Sequence, residues 1–296
     1  MYVKAKGTGT GMVITEQSDS VAIQGDSFAL AFNTATGDLF SYTTSGKERL
    51  LAPVRPNFWR AVTDNDLGNG LDKRCAVWKD ASYSRTLTGF SCTAGDHLCT
   101  VAVSYQLATQ PASTLLLQYK ITPDGKVDIT QELNPVSDGL PEIPEFGLLF
   151  ELDGGLDTVS WYGKGPHENY WDRQTSAKLG HYTGKVSEQF VHYLRPQECG
   201  NKTGVRYASL TESVSGNGIH LESTLPFEVN VLPWTPEELE ASDHPYKLAP
   251  SAKSVLRVNY KQMGVGGDDS WGAPTHAEFT LPSNRPYSYR FILSVV

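Results

Sequence analysis

Hydrophobic and polar positions alternate along most of the chain. Phe28, Leu30 and Phe32 share one face, and the turn-rich Asn33-Thr34-Ala35-Thr36-Gly37 leads into Leu39-Phe40-Ser41-Tyr42, which predicts a hairpin. A second follows: Leu115, Leu117, Tyr119 and Ile121 alternate, Pro123-Asp124-Gly125 turns, and Val127, Ile129 and Leu133 resume. Proline sets φ for such a turn, and Asp-Gly tolerates the positive φ of tight hairpins. Tyr287, Tyr289, Phe291, Leu293 and Val295 close the chain in the same period. One helix start stands out, at Thr235-Pro236-Glu237-Glu238, with Thr235 as N-cap and Glu238 completing a capping box; His244-Pro245 stops that helix early. No strand–helix series appears that could build a parallel barrel or a doubly wound sheet. The expected fold class is all-β: a large antiparallel sandwich of two sheets with one short helix. Residues 1–20 are rich in Gly, Thr and Ser and read as a linker or leading edge segment, and residues 21–296 as one domain.

Composition narrows the function more than the fold. The 296 residues can bury a sizeable core, and the hydrophobic fraction of 39% argues against disorder. A net charge of -8 gives no electrostatic reason to bind nucleic acid or an anionic membrane surface. No stretch approaches the roughly 20 apolar residues of a membrane span. A natural start at Met1 implies the cytoplasm, whereas a start inside a longer parent leaves the compartment open, the periplasm included. Cys75, Cys92, Cys99 and Cys199 show no paired spacing and read as buried free thiols. Asn201-Lys202-Thr203 matches the glycosylation sequon by chance on this reading.

Four polar-aromatic clusters carry the candidate chemistry. Arg55-Pro56-Asn57-Phe58-Trp59-Arg60 precedes Thr63-Asp64-Asn65-Asp66-Leu67-Gly68. Its acidic run fails as a calcium loop, because Gly68 and Cys75 occupy ligand positions, and it reads as a loop fixed by side-chain-to-backbone hydrogen bonds, with contacts to sugar hydroxyls as the lesser alternative. The stretch from Trp161 to Arg173 contains Gly165-Pro166-His167-Glu168-Asn169-Tyr170. Rings, amides, carboxylates and guanidinium at this density suit a polyhydroxyl ligand, and they equally suit a scaffold in which Arg173 pairs with Glu168 or Asp172. Tyr193-Leu194-Arg195-Pro196-Gln197-Glu198-Cys199-Gly200-Asn201 is a third mixed loop. The fourth, Met263-Gly264-Val265-Gly266-Gly267-Asp268-Asp269-Ser270-Trp271, lacks the Lys-Ser/Thr of a phosphate loop and the glycine that would make Ser270 a nucleophile elbow. A tight Gly-rich loop presenting Trp271 remains, and on these residues alone the ring reads as core packing, with ligand binding the alternative.

In this order the four clusters resemble the C-terminal domain, or small chain, of the glycoside hydrolase family two β-galactosidases. Residues 55–68, 162–173, 193–201 and 262–271 match, 140–152 more weakly, and the chain departs from the usual pattern at Cys199 and Trp171, where Asn and Pro are common. The resemblance implies a supersandwich related to galactose mutarotases. It implies a retaining hydrolase of terminal β-D-galactosides, lactose among them, whose two catalytic glutamates lie on a separate (β/α)₈ barrel or large subunit. Magnesium and a monovalent cation would be held by that barrel and no cofactor or metal by this chain; an oligomeric parent enzyme is expected. By the same match Trp271 is the sugar platform, and no catalytic residue lies in this chain. Asp268, Asp269, His167, Glu168 and Arg173 are further pocket or loop candidates. Two other readings stay open: an aldose epimerase using His167 and Glu168, or a partner such as His192 or Glu198, and a non-catalytic carbohydrate-binding module.

Overall fold

Alternation becomes two antiparallel sheets packed face to face. The computed structural model describes residues 4–8, 11–134, 139–269 and 271–296. The smaller sheet is a six-stranded meander of β1 (Lys4–Thr8), β2 (Met12–Glu16), β3 (Ser20–Gln24), β4 (Phe28–Asn33), β5 (Leu39–Thr44) and β6 (Lys47–Glu48). The larger holds twelve strands: β7 (Arg55–Asn57), β8 (Arg85–Ala94), β9 (Cys99–Leu107), β10 (Thr114–Ile121), β11 (Val127–Asn134) and β12 (Glu145–Asp153), then β13 (Thr158–Gly165), β14 (Lys178–Lys185), β15 (Lys202–Thr211), β16 (Gly218–Leu232), β17 (Lys253–Gln262) and β18 (Tyr287–Val295). Of the leading segment, residues 1–3 and 9–10 lie outside the described residues.

The larger sheet runs β14-β13-β15-β16-β18-β11-β10-β9-β8, and a branch of β17, β12 and β7 leaves it at β16. The fifteen-residue β16 makes this possible. Its residues 219–222 pair with β18, and its residues 228–232 pair with β17. Both predicted hairpins form, β4 with β5 and β10 with β11. The inward faces of β9, β10 and β11 meet the smaller sheet, with Phe32 edge-on to Tyr119 at 5.0 Å between ring centroids. Gly37 has no substitute at the first hairpin: its φ is +78°, and a Cβ there would stand 2.4 Å from Val103 Cγ1.

Helix content exceeds the single segment expected from sequence. α4 (Pro236–Glu240) has the capping box on Thr235, but α1 (Asp64–Gly68), α2 (Leu71–Arg74) and α3 (Ala76–Tyr83) also form. Thr63 Oγ1 accepts from Asp66 N at 3.1 Å while Asp66 Oδ2 accepts from Thr63 N at 3.0 Å, so the acidic run is the first turn of a helix. α3 is held by its buried Trp78, whose indole N–H donates to Pro141 O at 2.9 Å. No helix among the described residues is long and apolar enough to cross a membrane.

Candidate functional site: the Gly264–Trp271 loop

After β17 the chain leaves the sheet at Met263 and crosses over α1, and the side chains of Arg60, Asn65 and Asp172 fix its path. Arg60, wholly buried, donates to Met263 O at 2.5 Å, to Gly264 O at 3.0 Å and to Asp66 Oδ1 at 3.0 Å. Burial works against its charge, but Asp66, with Glu198 and Tyr170 beyond, outweighs burial and holds Arg60 above the ordinary guanidinium range. Asn65 Nδ2 reaches Val265 O at 3.4 Å, and Asp172 Oδ2 accepts from Gly266 N at 2.8 Å. The glycines are there for room. A Cβ on Gly264 would lie 2.7 Å from Asp172 Cγ, and one on Gly267 would lie 2.2 Å from Ala273 O.

At the tip, Asp269 Oδ1 accepts from the backbone N of Trp271 at 2.8 Å and of Ala273 at 3.2 Å, and these donors lower its pKa. Asp268 Oδ1 sits 2.8 Å from His276 Nε2, a contact that raises the imidazole pKa. Trp271 is 90% exposed, on a backbone whose N–H is held by Asp269. Ser270 lies outside the described residues. Beside the loop, Asn65, Asp172, Arg173, Gly266, Asp268 and His276 line an open cleft of about 430 Å³. Asn65 and His276 were not singled out from sequence. The first lay inside a flagged acidic cluster, whereas nothing in the chain around His276 signals its partner.

The other candidates sit in the scaffold beneath. Glu168 accepts from Arg173 at 2.5 Å, from Gly200 N at 2.8 Å and from the Tyr193 hydroxyl. His167 points elsewhere, its Nε2 3.1 Å from Ser176 Oγ, and His192 packs edge-on to Phe190. Glu198 is buried, taking both Arg257 and Asn230. Among the described residues these four share no hydrogen-bond partner. The third cluster docks on α1, where Gln197 and Asp64 exchange two bonds of 3.1 Å. Trp171 lies under Lys261 Nζ, 3.7 Å from the ring centroid, and edge-on to Phe279. Asn201 is buried against Glu228.

Under the loops runs a polar network with no exposure to solvent. Arg257 bridges Glu145 at 2.5 Å and Glu198 at 2.7 Å, and Asn57, Asn230 and Gln262 bond to the two carboxylates. Burial opposes the Arg257 charge but Glu145 and Glu198 hold it well above its usual range, while burial pushes Glu145 up in spite of Arg257.

Sheets, branch and loop together define an all-β domain of galactose mutarotase-like architecture. A solved structure of the galactose mutarotase related enzyme from Lactobacillus acidophilus superimposes with a TM-score of 0.50 at 8% identity, covering 94% of this chain and 97% of its own. A family model described as β-galactosidase small chain matches residues 24–293, and the chain belongs to that family. The β-galactosidase of Priestia megaterium is 45% identical over 283 residues, which is 95% of this chain and 27% of the relative. That of Halalkalibacterium halodurans is 36% identical over 280 residues, 94% of this chain and 28% of the relative. The chain therefore spans little more than a quarter of the length of these relatives.

Proposed function

We propose that this chain completes the substrate pocket of a β-galactosidase acting on terminal β-D-galactosides, with the catalytic carboxylates supplied by a separate (β/α)₈ region. The observation that carries the proposal is the outward indole of Trp271 on a loop held by Arg60, Asp172 and Asp269. An indole presents a flat apolar face to the C–H face of a sugar ring. Asp268 and the cleft beside it offer acceptors for hydroxyl groups, and magnesium and a monovalent cation are assigned to the barrel on the family resemblance alone. The epimerase reading ranks lower, because His167, Glu168, His192 and Glu198 are each engaged by different neighbours.

Covering one face of the indole removes on the order of 100 Å² from water, worth roughly 2 kcal/mol or about 30-fold in affinity. Trp271→Ala in the complete enzyme is expected to raise the KM for a galactoside, and the Ki of a galactose-like inhibitor, by about that factor, with Trp271→Phe falling between. Unchanged KM and Ki would remove Trp271 from the pocket. The isolated chain is expected to leave a chromogenic galactoside intact, and turnover at an enzymatic rate would overturn the division of labour.

A further inference from the structure

The four cysteines fall into two kinds. Cys75 and Cys199 are buried singly, and burial pushes both thiols up to about 12. Cys92 and Cys99 face each other near the end of the β8–β9 hairpin, with their sulfurs 3.6 Å apart. Cys92 lies opposite Val101 and Cys99 opposite Ala94, so the two side chains emerge on one face of adjacent strands, a single diagonal step apart. The turn between them is tight, closed by Gly95 N donating to Leu98 O at 2.7 Å. β8 is the last strand of its sheet, and Cys92 on it is half-buried, whereas Cys99 is wholly buried.

From this placement we infer that Cys92 and Cys99 are a reversible dithiol–disulfide site, which closes by exchange with a low-molecular-weight disulfide such as oxidised glutathione. The Cys92 thiolate attacks one glutathione sulfur, forms a mixed disulfide and expels one glutathione thiolate. Cys99 then gives up its proton and attacks Cys92 Sγ, expelling the second glutathione. Two thiols and one glutathione disulfide become one internal disulfide and two glutathiones, so atoms and electrons balance. The order of attack follows the environments. A hydrogen bond from Cys99 lowers the Cys92 pKa, while that same contact and burial raise Cys99. Closing the bond ties the edge strand β8 to β9 at a point where the sheet offers no further neighbour.

The test is direct, because trypsin cuts after Arg85 and Lys120 and releases both cysteines, and no other, in one peptide. The full chain is incubated in glutathione buffers of increasing disulfide content, unfolded, alkylated and digested. The expected result is a 86–120 peptide lighter by two hydrogens and unlabelled under oxidising buffers, and doubly labelled after dithiothreitol, with Cys75 and Cys199 labelled throughout. A Cys92→Ser chain is expected to keep Cys99 labelled at every ratio. Two labels on the wild-type peptide across the whole series would overturn the inference. So would glutathione retained on Cys92 without an internal bond.

Discussion

Glu228 shows how one carboxyl can set the pH response of a fold. It sits wholly out of water, with Oε2 accepting from Asn201 Nδ2 at 2.9 Å and from Gln262 N at 3.2 Å. Burial pushes its pKa up to about 7, although those donors and Lys261 favour the charged form. A carboxyl raised in the fold contributes full stability below its unfolded pKa and loses it as pH climbs through the folded one. Stability is therefore expected to fall between about pH 5 and pH 8 by on the order of 2–3 kcal/mol from this group. Glu228→Gln keeps an acceptor for Asn201 and removes the charge, so its urea midpoint is expected to vary less over that range and to exceed the wild type at the alkaline end. Parallel pH profiles in the two proteins would contradict this role. Single residues of this kind were hardly legible in the sequence. Trp271 stood out through the family resemblance, since the Gly-rich loop alone favours core packing for it, but Glu228 belonged to no flagged cluster. Arg60 stood in a flagged cluster, yet its main acceptor, Met263 O, lies 203 residues away.

At the scale of elements, the strands were the readable part. Period-two alternation is local, and Pro123-Asp124-Gly125 or Gly37 announces a turn without reference to anything distant. The helices from Asp64 to Tyr83 were missed for the converse reason. They are four to eight residues long, and their helical state depends on packing, as with Trp78 under Pro141, more than on intrinsic propensity. Thr63 and Asp66 did carry a capping-box signal, masked by the resemblance of the acidic run to a metal loop. The loop over α1 is the element whose exact path matters to the proposed pocket. Gly267→Ala would drive a methyl into Ala273 O and displace the tip. In the complete enzyme this is expected to raise galactoside KM by roughly tenfold, as small misplacements of a binding group do. The melting temperature should change little, because the displaced tip, Asp268, Asp269 and Trp271, is exposed. A large loss of stability with normal KM would show that the loop supports the core instead.

For the whole molecule, the buried network around Arg257 links β12, β16 and β17 to the third cluster. Its members are far apart in sequence, 112 residues between Glu145 and Arg257, so no local pattern announced it. Arg257→Met would leave two buried carboxylates without their shared counter-charge, at a cost of roughly 3–5 kcal/mol. The sign of the pH effect follows. Without the guanidinium Glu145, already raised by burial, rises further above its unfolded value, so the loss should be larger at pH 8 than at pH 5, measured by urea denaturation. Equal losses at the two pH values would mean that packing dominates. The long strand β16 carries a further consequence. Because it pairs with β18 over one part and with β17 over another, neither arm of the larger sheet can open without breaking ladder bonds to the same backbone. The amides of its paired parts, 219–222 and 228–232, should therefore exchange with solvent deuterium only when the whole domain unfolds, and at a common rate. A domain of that kind behaves as one cooperative unit, and it would meet any larger partner as a rigid body.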